Sequence, residues 1–183
     1  MGGVRILEWL SPAAATEAVD WDHVFRDELP RVLGYFRYRG FDRATAEDLT
    51  SATFEKAWRA RDRYRRDRAA VSTWLASIAR NTAIDHLRRP RLDVPLDERT
   101  DAASPDTPET EALRASERRR LARLLAALPE REREVVALKY GAGATNRAIA
   151  RLTGIGESNV GTILHRTVAA LRARWHETEG GER

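Results

Sequence analysis

The 183-residue sequence contains no cysteine, which excludes disulfide bonds, thiolate metal sites and cysteine nucleophiles. It also lacks a glycine-rich loop of the phosphate-binding kind. The four histidines show no metal-ligand spacing; they are His23, His86, His165 and His176. We therefore expect a protein that is not an enzyme, with no catalytic residues, no cofactor and no metal.

Long apolar runs are absent as well. No window approaches the uninterrupted apolar length of a membrane span. The apolar residues at positions 4–10 are interrupted by Arg5 and Glu8, and the segment is too short for the apolar region of a signal peptide. These features predict a soluble cytoplasmic protein that does not associate with a membrane.

The sequence carries 32 Lys+Arg and 28 Asp+Glu residues, a formal net charge of +4. Residues 1–90 and 117–183 are net basic, whereas residues 91–116 are net acidic. This pattern favours two anion-binding domains joined by a tether that does not bind nucleic acid. All cations except Lys56 and Lys139 are arginine, which suits contacts to phosphate and guanine but is equally compatible with a codon bias of the genome.

Helical periodicity organises the first domain, predicted over residues 21–90 after a loose lead-in at 1–20. A first helix ends at Gly40-Phe41-Asp42, a second follows Thr45 as its N-cap, and a third starts after Ser72 and stops before Pro90. The apolar positions expected to face the core are Val24, Leu29, Val32, Leu33 and Phe36, then Ala46, Leu49, Thr53, Phe54, Ala57 and Trp58, then Trp74, Leu75, Ile78, Ala79, Ala83 and Leu87.

Residues 91–116 have the proline-rich, acidic composition of a flexible linker. Helical spacing resumes over residues 117–176, with apolar residues at Leu121, Leu124, Leu125 and Leu128, and a short tail follows at 177–183. Strand-like alternation is absent throughout. The expected fold is therefore all-α, with two small helical domains joined by a flexible linker.

A helix-turn-helix is predicted at residues 146–166. Ala150, Gly154 and Val160 have the spacing required by a small packing residue, a left-handed turn glycine and an apolar anchor, although an ordinary helical hairpin remains an alternative. The recognition helix would begin near Glu157 and display side chains that either reach base edges or form a solvated surface. They are Glu157, Ser158, Asn159, Gly161, Thr162, His165 and Arg166.

Two segments together resemble a known family. LARLLAALPEREREVVALKYGAGATNRAIARLTGIGESNVGTILHRTVAALR resembles the C-terminal domain of bacterial sigma factors, which reads the minus-thirty-five promoter element. AEDLTSATFEKAWRARDRY followed by VSTWLASIARNTAIDHLRR resembles their N-terminal domain, in the same order, and the short tether is similar to the extracytoplasmic-function (ECF) group. The resemblance implies transcription initiation on duplex and single-stranded promoter DNA, with core RNA polymerase and an anti-sigma factor as partners and a monomer when free.

The resemblance also implies roles for individual residues. The contact with the clamp helices of the polymerase corresponds to Glu47, Asp48, Ser51 and Ala52, where Ser51 and Ala52 replace the Gln and Glu that the family often carries. Binding and melting of the minus-ten element correspond to Tyr64, Arg65, Arg66, Trp74, Asn81, Asp85, Arg88 and Arg89. Core packing is an alternative role for Trp74. In the recognition helix, Gly161 and Ile163 occupy positions where basic residues are common in the family. The promoter sequence recognised by other members therefore cannot be transferred to this chain.

A second interpretation is an autonomous helix-turn-helix regulator that binds an operator as a dimer. It explains residues 129–175 but leaves two parts of the first domain without a role, the acidic helix around Glu47 and Asp48 and the aromatic basic loop at residues 64–70. An operator reader usually dimerises to span two half-sites, whereas a sigma factor depends on polymerase.

Overall fold

The N-terminal domain is built from three helices. The structure is a computed structural model that describes residues 19–88 and 108–180. In the first of these stretches the helices are α1 (Trp21–Tyr38), α2 (Arg43–Ala60) and α3 (Val71–Arg88), with a 3₁₀ turn at Arg61–Arg63. Each α-helix packs against the other two, so they form one small bundle.

Aspartates begin the first two helices. The side chain of Asp20 accepts a hydrogen bond from the backbone N–H of His23 (3.1 Å), and that of Asp42 accepts one from the N–H of Thr45 (2.9 Å). Asp42 also accepts from the Thr45 hydroxyl (2.7 Å). The predicted N-cap at Thr45 is therefore wrong, because a carboxylate three residues earlier satisfies the free backbone N–H group of the first turn.

The C-terminal domain contains four α-helices and a π-helical turn. The elements are α4 (Pro108–Ala126), α5 (Glu130–Val136), the turn Ala137–Gly141, α6 (Asn146–Thr153) and α7 (Glu157–Gly180). Helix α4 begins inside the segment predicted as linker, and α7 extends into the predicted tail. All regular elements within the described residues are helical, as the sequence predicts, and none of these helices is long and apolar enough to cross a bilayer.

Most of the predicted apolar positions are buried, including Phe36, Ala46, Leu75 and Leu125. Three are exposed instead: Leu29 is 48% exposed, Trp58 is 46% exposed and Leu87 is 44% exposed. On α1 the residue before Leu29 is buried: Glu28 is only 7% exposed. Its carboxylate forms an ion pair with Arg31 at 2.8 Å. Helix α1 therefore buries a wider face than its apolar pattern indicates.

The additional buried face of α1 lies against the C-terminal domain. Arg39, 5% exposed, donates to Glu130 of α5 at 2.5 Å, and Arg80 of α3 pairs with Glu134 at 3.0 Å. The Tyr35 hydroxyl donates to the same Glu134 carboxylate (3.4 Å). Burial raises the pKa of Tyr35, so its phenol stays a protonated donor. The two predicted domains are present, and in this structure they pack directly on each other.

Glu130 is ionised in this contact. Its hydrogen bond from Arg39 lowers the pKa of the Glu130 carboxyl below its ordinary value. The stabilisation that this pair contributes is therefore present above the ordinary glutamate pKa and is lost as the pH falls through the lowered value.

A core truncation tests the packing of the C-terminal domain. Ile149 is fully buried, so Ile149→Ala is expected to lower the free energy of unfolding by about 3 kcal/mol through lost apolar contacts and the cavity left behind. Leu113→Ala, at a position that is 63% exposed, is the control and should change it by less than about 0.5 kcal/mol. Urea unfolding followed by circular dichroism measures both, and equal losses would contradict the packing.

Candidate nucleic-acid interface

The predicted helix-turn-helix is formed by α6 and α7. Helix α6 starts at Thr145, whose hydroxyl accepts from the N–H of Ala148 (3.2 Å). It ends at Gly154, which has φ +75° and donates its N–H to the carbonyl of Ala150 (2.9 Å). This left-handed conformation is one that residues with a side chain rarely adopt, so the turn requires a glycine here.

Apolar contacts fix the angle between these two helices. Ile149 and Val160 are fully buried, and Ile155 and Leu164 are 9% and 7% exposed. They join α6, the turn and the inner side of α7 to the core. The outer side of α7 is thereby held toward solvent on a rigid support, which is the geometry that a recognition helix needs.

Six of the seven predicted recognition residues lie on the outer side of α7 and are exposed: Glu157, Ser158, Asn159, Thr162, His165 and Arg166. The seventh, Gly161, is half-buried, and a Cβ there would lie 3.8 Å from the Asn146 side chain. Gly161 therefore faces α6, where a Cβ would make an ordinary van der Waals contact. Exposed side chains can donate to base edges or phosphates.

Several charges surround this helix. Arg166 lies 4.0 Å from Glu132 of α5, and Arg147 of α6 lies 3.7 Å from Glu157. The sequence reading did not include Arg147 and its exposed neighbour Arg151 among the candidates. Both lie on the polar side of α6, and an amphipathic reading of that short helix would have identified them. They add positive charge beside the recognition helix.

In the N-terminal domain, an aromatic cluster holds the charged loop that follows α2. The Tyr64 and Trp74 rings lie 5.1 Å apart, and Trp21 lies 5.7 Å from each of them. The Tyr64 hydroxyl donates to the carbonyl of Ala69 (2.9 Å), and burial raises the pKa of Tyr64. Trp74 thus packs in a half-buried cluster beside the loop. Trp21 was missed because no local pattern links residues so far apart in sequence.

The same loop presents cations to solvent. Arg65 and Arg66 are exposed, and Arg65 makes two hydrogen bonds to the Asp67 carboxylate, at 3.0 and 3.1 Å. The two arginines have different surroundings, since Arg65 is held in a local ion pair. The loop therefore packs on fixed aromatic rings and exposes arginine side chains to solvent.

Helix α3 carries the remaining predicted minus-ten residues in one stripe. Trp74, Asn81, Asp85 and Arg88 follow each other at spacings of seven, four and three, which places them on one side of a helix. That side is opposite the buried residues Ala79 and Ala83, and Asn81, Asp85 and Arg88 are exposed. Asp85 accepts an ion pair from Lys56 of α2 (3.2 Å). Arg89, the last predicted residue, lies outside the described residues.

A second exposed surface lies on α2, at the positions predicted to contact polymerase. Glu47, Asp48 and Ser51 are exposed, and Ala52 is half-buried. Arg43 pairs with Glu47 at 2.8 Å, and the Ser51 hydroxyl donates to the Glu47 carbonyl (3.1 Å). Asp48 projects beside this pair into solvent. The surface is small, polar and acidic at its centre.

The described residues contain no group of three or more His, Asp or Glu side chains that could hold a metal ion. What the geometry offers is binding surface. A helix with an exposed polar side can read duplex DNA, and an aromatic cluster with nearby cations is suited to unpaired bases and a separated strand.

Family comparisons divide the chain in the same way as the structure. The Sigma-70 region 2 model matches residues 24–92, which cover the three-helix domain. The Sigma-70 region 4 model matches residues 118–171, which include the helix-turn-helix. The two matches come in the order expected from the sequence.

Curated relatives align along most of the chain. The ECF RNA polymerase sigma factor SigL of Mycobacterium tuberculosis is 32% identical over 171 residues, covering 92% of this chain and 96% of the relative. RpoE of Cereibacter sphaeroides is 32% identical over 155 residues, covering 84% and 83%. BldN of Streptomyces coelicolor is 32% identical over 170 residues, and this chain spans 64% of its length.

A solved structure of CnrH in complex with the cytosolic domain of CnrY has a similar fold. The TM-score is 0.64 at 23% sequence identity, with 86% of this chain and 88% of the matched chain covered. Because both domains match sigma-70 models and relatives align over most of their own length, the chain belongs to the family of ECF RNA polymerase sigma factors.

Proposed function

We propose that the chain binds core RNA polymerase through α2, reads the minus-thirty-five element as duplex through α7, and melts the minus-ten element with α3 and the loop before it. Promoter-directed transcription initiation is the activity associated with the family. One observation carries the finer assignment. Among the described residues, those expected for each of the three tasks form separate surface groups, and all are exposed except the half-buried Ala52, Tyr64, Trp74 and Gly161.

The division between duplex and single strand rests on the chemistry of the two DNA surfaces. The outer side of α7 is polar and narrow enough to enter a major groove, and positions 157–166 contain no Phe, Trp or Tyr. The surface around α3 combines the Tyr64 and Trp74 rings with exposed cations. Stacking on rings and neutralising phosphates favour an unpaired strand.

The domain boundaries and partners belong to the same proposal. The N-terminal domain at 21–90 and the C-terminal domain at 117–176 are supported by the family matches at 24–92 and 118–171. An anti-sigma partner is included because the family resemblance implies one, and CnrH was solved with a second protein, the cytosolic domain of CnrY. The free chain is proposed to be a cytoplasmic monomer.

Polymerase dependence is the first test. Core polymerase with this protein is expected to yield specific run-off transcripts from a subset of genomic fragments, and open complexes should form without nucleotides because melting is driven by binding energy. Core polymerase alone is the control. Tight operator binding by a dimer of the protein, without any effect on initiation, would favour the autonomous regulator instead.

The clamp contact is tested by Asp48→Arg. Reversing this exposed charge is expected to weaken affinity for core polymerase about tenfold, since like charges then face each other in the interface. Asp27→Arg reverses an exposed charge on α1 and should leave the affinity unchanged. Fluorescence anisotropy measures binding, and circular dichroism checks that helicity is retained. Equal affinities of the two variants would remove Asp48 from the interface.

The two DNA surfaces are expected to act at different steps. Arg166→Ala should weaken closed-complex binding by about 1 kcal/mol, the scale of one charge-assisted hydrogen bond, with a shallower salt dependence. Asn81→Ala should leave that binding nearly intact but reduce strand opening, because an amide on α3 acts only on an extruded base. Arg37→Ala, on the exposed side of α1, controls for the loss of one positive charge.

Filter binding of holoenzyme across a salt series measures closed-complex affinity, and permanganate reactivity of unpaired thymines measures opening. An unchanged salt slope for Arg166→Ala would remove that residue from the duplex contact. Normal opening by Asn81→Ala on a weak promoter would contradict its role in melting.

A further inference from the structure

Trp21 is the first residue of α1, and its ring contacts two parts of the N-terminal domain that come much later in the sequence. It lies 5.7 Å from the Tyr64 ring, which belongs to the loop at residues 64–70, and 5.7 Å from the Trp74 ring of α3. Directly before it, the Asp20 side chain accepts a hydrogen bond from the N–H of the third residue along and so fixes the start of the helix. Trp21 is therefore a half-buried ring attached to a well-defined helix end.

The loop folds on itself through local hydrogen bonds. The Tyr64 hydroxyl donates to the Ala69 carbonyl at 2.9 Å, and the N–H groups of Arg68 and Ala69 donate to the Arg65 carbonyl at 3.0 and 3.4 Å. The Arg65 side chain also donates to the Asp67 carboxylate at 3.0 and 3.1 Å. These bonds give the loop a defined shape. They do not orient it relative to α1, since donor and acceptor both lie in the loop.

Aromatic contacts orient the loop in the domain. The Tyr64 ring lies 5.1 Å from the Trp74 ring and meets the Trp21 ring edge to face, at an interplanar angle of 77°. Edge-to-face pairs of this kind are favourable beyond the apolar area that they bury. Trp74 belongs to the helix that directly follows the loop, whereas Trp21 belongs to the helix that begins the domain. The Trp21 ring thus ties the loop to α1.

A loop that is already oriented binds a ligand more tightly than one that must first be ordered. Ordering a segment on binding costs conformational entropy, and that cost is avoided when the free protein already holds the bound arrangement. In the proposed melting step the loop presents Arg65 and Arg66 beside the aromatic rings to an unpaired strand. Loss of its orientation should therefore weaken capture of an unpaired base.

We propose that Trp21 is a positioning residue for strand opening. It holds the Tyr64 ring, and through that ring it keeps the loop in the orientation that receives an extruded base, without touching DNA itself. The inference rests on the proposed function and adds a residue to it. Trp21 lies outside the part of the chain that the Sigma-70 region 2 model matches, which begins at residue 24.

Hydrogen exchange of the free protein tests whether Trp21 holds the loop. In Trp21→Ala the amides of residues 64–70 are expected to exchange about fivefold faster, because one of the two ring contacts of Tyr64 is lost. Trp21→Phe keeps a ring and should stay within about twofold of the unchanged protein. Phe25→Leu is the control, since the Phe25 ring packs on Phe54 and Trp58 of α2. Millisecond exchange with mass spectrometry measures the rates, and circular dichroism checks helicity.

Binding of single-stranded DNA by the holoenzyme tests the effect on base capture. The probes are oligonucleotides with the non-template minus-ten sequence of a promoter found by run-off transcription, either intact or lacking one base at each position in turn. With the unchanged protein, at least one base should contribute about tenfold to affinity. Trp21→Ala is expected to reduce that contribution about fivefold and to leave affinity for the abasic probe within about twofold. Trp21→Phe should restore the contribution of the base.

The two measurements separate the possible outcomes. Unchanged loop exchange in Trp21→Ala, an undiminished contribution of the base, or an equal loss of affinity for intact and abasic probes would each overturn the positioning role. If Trp21→Ala loses helicity, Trp21→Leu, which is apolar but has no ring, takes its place, and behaviour equal to that of Trp21→Phe contradicts the proposal. If no base contributes to binding by the unchanged protein, the proposed melting function fails, while loop exchange still decides whether Trp21 holds the loop.

Discussion

Helix α1 is buried on two sides, and the rest of the arrangement depends on that double burial. One side packs on α2 and α3 through residues such as Phe36, and the other meets the π-helical turn at Gly34. Because the turn approaches the α1 backbone so closely, α5 is placed where Glu130 and Glu134 reach Arg39 and Arg80. The position of the helix-turn-helix relative to the first domain follows from this one contact.

Helical content, the order of the elements and the helix-turn-helix could be predicted from the sequence, because apolar spacing and the glycine at 154 are local signals. The contact between domains could not. Glu28 and Arg39 interrupt the apolar pattern of α1, and a reading based on hydrophobicity assigns them to solvent. The partner of Arg39 is Glu130, about 90 residues further along the chain, and periodicity carries no information about such a partner.

In the candidate sites, too, local spacing predicted some features, whereas contacts between distant elements were missed. The exposed positions of α7 follow from helical geometry once Val160 is assigned to the core, and the stripe from Trp74 to Arg88 follows in the same way. Trp21 was missed because its contact with Tyr64 joins two separate elements. Gly161 was assigned to the DNA surface because its neighbours are, yet it faces Asn146. Residue spacing predicts on which side of a helix a residue lies better than it predicts which residues that side contacts.

The separation in sequence between α1 and its second partner also has a consequence during synthesis on the ribosome. At about 5–20 residues per second, the segment around Gly141 is made roughly 5–20 s after α1. During that time the first domain can fold, but the side of α1 that will meet the turn has nothing to cover it. Until Glu130 is made, the charged Arg39 side chain is free to be hydrated, and a charged group at this boundary reduces the apolar surface that the nascent first domain exposes.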